Sequence, residues 1–215
     1  MKITKLVHSC LIVEKANFKV LVDPGNYSWN SGFVTDEMLK GINYVAITHI
    51  HPDHCDDEFV KTVYKQSPNA LWFSTVQVAE KLKEFDISVD IKGNDIIRFV
   101  NSDHADLSPW FAEQPEHASF VVMDELLIGG DCHTLKSSHG ARILAGAING
   151  GPWGSVVGFV KMIENMESRP EVVLPLHDWH WNEDARTAVY SRLPDVLTSL
   201  GSEFVPLVNG ETFQV

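Results

Sequence analysis

Four side chains able to ligate a metal crowd into His49-Ile50-His51-Pro52-Asp53-His54. Imidazole nitrogens and carboxylate oxygens are the usual donors to divalent first-row ions. The preceding residues 44–48, Tyr-Val-Ala-Ile-Thr, are short, apolar and rich in β-formers, which predicts a buried strand. Alternate residues of an extended chain point the same way, so His49 and His51 should project to one side just past the strand end. After Pro52, Asp53 and His54 fall where Asp56, Asp57 and Glu58 predict a helix start. One turn can therefore offer two ligand pairs to two neighbouring ions. His104, Asp131 and His177, each expected at a strand end or in a turn, extend the set to five imidazoles and two carboxylates. That set suits Zn²⁺ first, with Mn²⁺ or Fe²⁺ also admitted by the hard carboxylates. His117, His133 and His139 compete with His104. Gly129-Gly130 before Asp131 would allow close backbone approach, although a simple turn aspartate accounts for the same pattern.

The elements that must position these donors read as a β-meander over 2–7, 10–14 and 20–22, then a loop over 26–33 carrying Tyr27, Trp29 and Phe33, and a short helix from Thr35. Helix at 56–65, strand at 70–74, helix at 75–84 and strand at 95–101 follow, an alternation that implies layered α/β structure. A loop over 105–116 leads to a hairpin of 119–123 and 126–129 through Asp124-Glu125. The last third predicts strands at 143–148 and 172–176, and helices at 155–167 and 182–197. Strands at 204–207 and 212–215 close the chain. No linker or repeat interrupts this pattern, and residues 1–215 are expected to form a single domain. Trp29, Trp110, Trp153, Trp179 and Trp181 fall in predicted loops, where they wall a pocket, cap a core or meet another subunit, so a homo-oligomer is compatible with the sequence. His8 reads either as a surface-turn histidine or as the rim of a site.

Apolar residues at 44 % and charged residues at 21 % are ordinary for a globular chain. A formal charge of -12 disfavours nucleic acid and anionic membranes as partners and leaves a small molecule as the expected substrate. The N-terminus has no signal-peptide pattern and no apolar run is long enough for a span, so a cytoplasmic location is expected. Cys10, Cys55 and Cys132, odd in number and widely spaced, suggest reduced buried thiols.

His8-Ser9, Val22-Asp23-Pro24, the H-x-H-x-D-H run, His104-Ala105, Gly130-Asp131 and Pro175-Leu176-His177 together resemble the metallo-β-lactamase-fold hydrolases, in particular a small bacterial branch similar to ascorbate-phosphate lactonase. The resemblance implies a four-layer αββα sandwich of mixed α/β class. It implies that His49, His51 and His104 bind one ion and Asp53, His54 and His177 the other, with Asp131 bridging them. A hydroxide shared by the two divalent ions would then cleave a small ester, lactone, amide or phosphoester. Asp23 would orient a ligand from behind. Asp53 and His180 carry the catalytic expectation, His180 as proton donor to the leaving group, although a surface histidine between two tryptophans fits it as well. Cys132 and His133 depart from the small and hydroxylated residues common after this Gly-Asp. Two alternatives compete: iron-dependent redox chemistry on the same fold, which His51 disfavours because di-iron reductases carry Glu there, and a non-catalytic metal-binding module.

Overall fold

The computed structural model describes residues 1–109, 111–149 and 155–215. The expectations for Trp110, and for Trp153 within residues 150–154, fall outside the described residues. The chain divides into two compact units, Met1–Ile97 with Leu207–Val215, and Arg98–Pro206.

The first unit is built on a seven-stranded mixed sheet. Three antiparallel strands, β1 (Lys2–Lys5), β2 (Leu11–Lys15) and β3 (Phe18–Val22), form the expected meander. β3 continues in parallel with β4 (Tyr44–Ala46), β5 (Leu71–Phe73) and the two-residue β6 (Val89–Asp90), and β13 (Thr212–Gln214) pairs with β1. The parallel connections are helical, as the geometry of parallel pairing requires. Helix α2 (Asp57–Gln66) is capped by the Asp56 carboxylate, which accepts from the Phe59 amide, and it buries Phe59, Val60 and Val63 in the core. Each such burial contributes about 1.5–3 kcal/mol. Helix α3 (Val76–Leu82) is capped in the same way by Thr75.

Residues 26–33, expected as a loop, contain a one-turn helix, α1 (Asn26–Asn30). Five residues are too few to show a periodic signal. Trp29 on this helix stacks on Phe59, with ring centroids 5.3 Å apart, and so caps the core.

The second unit carries a six-stranded sheet in the order β12, β11, β10, β9, β8, β7. These are β7 (Ile97–Asn101), β8 (Ala118–Val122), β9 (Leu126–Ile128), β10 (Ile143–Ala147), β11 (Val172–Leu176) and β12 (Glu203–Phe204). β8 and β9 form the expected antiparallel hairpin. Its turn is centred on Met123 and Asp124, both at positive φ, which matches the strand twist without the usual glycine. β9 to β12 run parallel, and α4 (Val156–Glu164), capped by Ser155, packs Phe159, Met162 and Ile163 into the core. The helix expected over 182–197 is two helices, α5 (Glu183–Tyr190) and α6 (Leu193–Ser199). Pro194, in the first turn of α6, has no N–H to continue the preceding ladder. The mixed α/β class with two sheets is as the sequence implies.

Candidate functional site

Strand register gathers the donors of the first unit at one sheet edge. Leu11 pairs with Val22, Val22 with Ala46, and Ala46 with Phe73. His8 before β2, Asp23 after β3 and residues 48–54 after β4 therefore lie at the same end. The carboxyl ends of parallel strands are where open α/β sheets bind ligands.

His49 and His54 are buried, and His51 and Asp53 are partly exposed. The ligand spacings suit an ion. Two donors about 2.0–2.1 Å from a tetrahedral zinc stand roughly 3.3–3.4 Å apart. His49 Nε2 and His51 Nδ1 are 3.0 Å apart, and His54 Nε2 and Asp53 Oδ2 are 3.7 Å apart.

Behind these donors, the buried Asp23 carboxylate accepts from the Thr48 amide at 2.7 Å, the Thr48 hydroxyl at 3.0 Å and His54 Nδ1 at 2.8 Å. With its hydrogen committed to Asp23, Thr48 Oγ1 accepts from His49 Nδ1 at 3.0 Å. Both imidazoles thus carry their proton on Nδ1 and direct the Nε2 lone pair forward, the arrangement that metal-binding histidines require. Asp23 was expected to support a ligand; Thr48 was not singled out.

His8 is buried, at φ 62°, with Nε2 3.1 Å from Asp53 Oδ2 and its ring edge-on to Tyr27 at 4.9 Å. The surface-turn reading of His8 is therefore wrong. Its turn is fixed from α1, where the Ser28 hydroxyl accepts from the Val7 amide at 3.1 Å and donates to the Val7 carbonyl at 2.7 Å. Burial and the Asp53 charge together raise the Tyr27 phenol above its ordinary value.

In the second unit, Gly129-Gly130-Asp131 follows β9 and His177 follows β11, again at the ends of parallel strands. Asp131 Oδ2 stands 3.6 Å from His104 Nε2 and 3.3 Å from His177 Nε2, between two imidazoles at ligand spacing. His104 Nδ1 donates to the Ala105 carbonyl at 2.7 Å and His177 Nδ1 donates to the Asn149 carbonyl, so both Nε2 lone pairs face the carboxylate. His177, like His8 and Asp23, has a positive φ, the kind of backbone outlier that clusters at functional sites. Its neighbour Asp178 is buried, accepts from the Tyr190 hydroxyl at 2.8 Å and lies 3.3 Å from Arg186 Nε, which ties the loop to α5.

His117, a competitor of His104 in the sequence, sits beside Asp131, accepting from its amide at 3.1 Å through Nε2 while Nδ1 contacts the Ser102 hydroxyl at 2.9 Å. The reason is antiparallel pairing, which brings the start of β8 against the end of β9. His133 donates from Nε2 to the Ala147 carbonyl at 2.7 Å, and burial lowers its pKa. His139 is exposed in a turn at φ 51°. His180 is exposed, its ring 6.0 Å from that of His177 and edge-on to Trp179 at 5.7 Å. Trp181 packs against the second core instead.

Two mixed sheets whose strand ends carry histidine and carboxylate donors define a metal-binding α/β protein. The β-lactamase superfamily domain is matched over residues 2–177, and the chain belongs to that superfamily, with the metallo-β-lactamase fold. Over 212 residues, 93 % of this chain and 94 % of the relative, it is 29 % identical to protein Rv0786c of Mycobacterium tuberculosis. It is 34 % identical over 89 residues, 37 % of this chain and 38 % of the relative, to the UPF0173 metal-dependent hydrolase Atu1317 of Agrobacterium fabrum. Among solved structures, Igni18, a metallo hydrolase of Ignicoccus hospitalis, aligns with a TM-score of 0.67 at 18 % identity over 100 % of this chain and 98 % of that one. An isothiocyanate hydrolase from Delia radicum gut bacteria aligns with a TM-score of 0.68 at 19 % identity over 100 % and 99 %. Among the described residues no helix is long and apolar enough to cross a membrane.

Proposed function

We propose that the protein hydrolyses a small ester, lactone, amide or phosphoester at a centre of two divalent ions, zinc first. His49, His51 and His104 would hold one ion and Asp53, His54 and His177 the other, with Asp131 shared, so that residues 1–215 act as one functional domain. The observation that carries this reading is the pairing of donors at ligand spacing, His49 with His51, Asp53 with His54, and Asp131 Oδ2 between His104 and His177, with the Nδ1 protons of His49, His54, His104 and His177 already committed.

Ions so bound supply a water acidified towards neutral pH and a Lewis acid for a carbonyl or phosphoryl oxygen. The chain's own residues orient and hold. Asp23 and Thr48 fix the tautomers of His49 and His54, and His8 holds the Asp53 carboxylate from the side. His180, exposed beside His177, is the candidate to protonate the leaving group.

The test is elemental analysis of the purified protein combined with a panel of lactones, acyl esters, phosphodiesters and an isothiocyanate. Two equivalents of metal per chain are expected. Asp131→Ala and His54→Ala should each lose metal and abolish turnover while the fold survives. Turnover unchanged in either variant sinks the assignment, and iron with oxygen consumption in place of hydrolysis replaces it with redox chemistry.

A further inference from the structure

The second unit holds a cleft of about 420 Å³ that starts at His104 and is lined by Asp106, Gln114, His133, Thr134 and Gly158. Its polar groups are the His133 imidazole, the Gln114 carboxamide, the Thr134 and Ser155 hydroxyls and the Asp106 carboxylate. Among the described lining residues there is no lysine or arginine, and Asp106 adds a carboxylate kept ionised by the amide and hydroxyl of Ser108, each at 2.9 Å. An anionic arm reaching past His104 would lie beside that carboxylate with no cationic side chain among the described lining residues to meet it.

His133 gives the cleft an acceptor. Its Nε2 carries the proton, because the Ala147 carbonyl at 2.7 Å can only accept, and this leaves a lone pair on Nδ1. Nδ1 makes no hydrogen bond within the described residues, and it faces the first turn of α4 at Gly158. A Cβ on Gly158 would stand 3.3 Å from Nδ1, so the absence of a side chain there keeps the nitrogen open. A helix gains stability when glycine is replaced by alanine, about 1 kcal/mol, so the glycine runs against local propensity.

Resting on the reading of His104 as a metal ligand, we propose that this cleft binds the uncharged hydroxylated or amide-bearing arm of the substrate, whose O–H or N–H donates to His133 Nδ1. The protein on this reading selects neutral polyol or amide substrates over phosphorylated and carboxylated ones.

The test is calorimetric titration of the metal-loaded protein with two hydroxamic acids of equal length, one ending in a 1,2-diol and the other in a carboxylate. The diol should bind about tenfold more tightly. Gly158→Ala, which covers Nδ1 without touching a candidate ligand, should weaken the diol about 5- to 10-fold, the worth of one hydrogen bond, and leave the carboxylate unchanged. His133→Leu should do the same, and Asp131→Ala should lose both compounds. Equal or tighter binding of the carboxylate, or diol binding by Gly158→Ala at the wild-type level, overturns the cleft assignment alone. Failure of both compounds to bind the wild-type protein overturns the metal-centre reading and the cleft with it.

Discussion

Replacing Gly25 with alanine should disable the protein although Gly25 touches no donor side chain directly. A Cβ built there would lie 2.1 Å from the Asp53 carbonyl carbon and 1.7 Å from its oxygen, the latter half the 3.4 Å at which ordinary contact begins. The obstacle is backbone, so no rotamer change relieves it. The two segments are also strapped together, the Asn26 amide to the Pro52 carbonyl at 2.8 Å and the Asp56 amide to the Pro24 carbonyl at 2.9 Å. Relief therefore requires the 52–54 turn to move by more than about 1 Å, a displacement that costs on the order of 100-fold in rate where a reacting geometry is involved. Overpacking of this kind destabilises by about 1–3 kcal/mol, which for a chain of this length lowers Tm by roughly 2–12 °C. Metal content by elemental analysis and a thermal melt read both effects. A Gly25→Ala protein with the wild-type metal complement and a melt within about 1 °C of wild type refutes the argument.

Thr48→Val keeps the volume and removes the hydroxyl that joins Asp23 to His49; metal affinity, measured by competition with a chelator, should fall about 10- to 100-fold, and an unchanged affinity would show that the hydroxyl does not orient the imidazole. Burial holds the Cys55 thiol up at about 11 against an ordinary 9.0, and Cys10 and Cys132 are raised for the same reason. Native protein at pH 8 should resist alkylation and react at all three cysteines once unfolded. Because the unfolded chain ionises its thiols first, these groups contribute stability that is lost as pH climbs from about 9 towards 11, and Cys55→Ala should blunt the fall in Tm across that window.

What could be read from the chain was whatever local pattern specifies. The 44–48 strand, the turn after it, the meander and the hairpin of β8 and β9 all follow from residue type over a few positions. Long-range pairing carries the rest. That His8 meets Asp53 depends on β1–β2 turn geometry and on Ser28, twenty residues away in sequence. His117 reaches Asp131 only because β8 and β9 are antiparallel and in the observed register. Thr48 looked like the last residue of a strand, and its role appears only once Asp23 is beside it. α1 and β6 were too short to leave a signal, whereas the break between α5 and α6 had one in Pro194 that the surrounding helical pattern masked.

The shared support of His49 and His54 also decides which nitrogen of each ring is offered when the site is filled. Because Thr48 and Asp23 keep the Nδ1 hydrogens in place, each neutral ring has a single tautomer, with its lone pair on Nε2. No exchange of the ring hydrogen between nitrogens has to precede metal uptake at these two residues. One carboxylate serving two imidazoles also makes their basicities move together: whatever weakens Asp23 as an acceptor alters both rings at once.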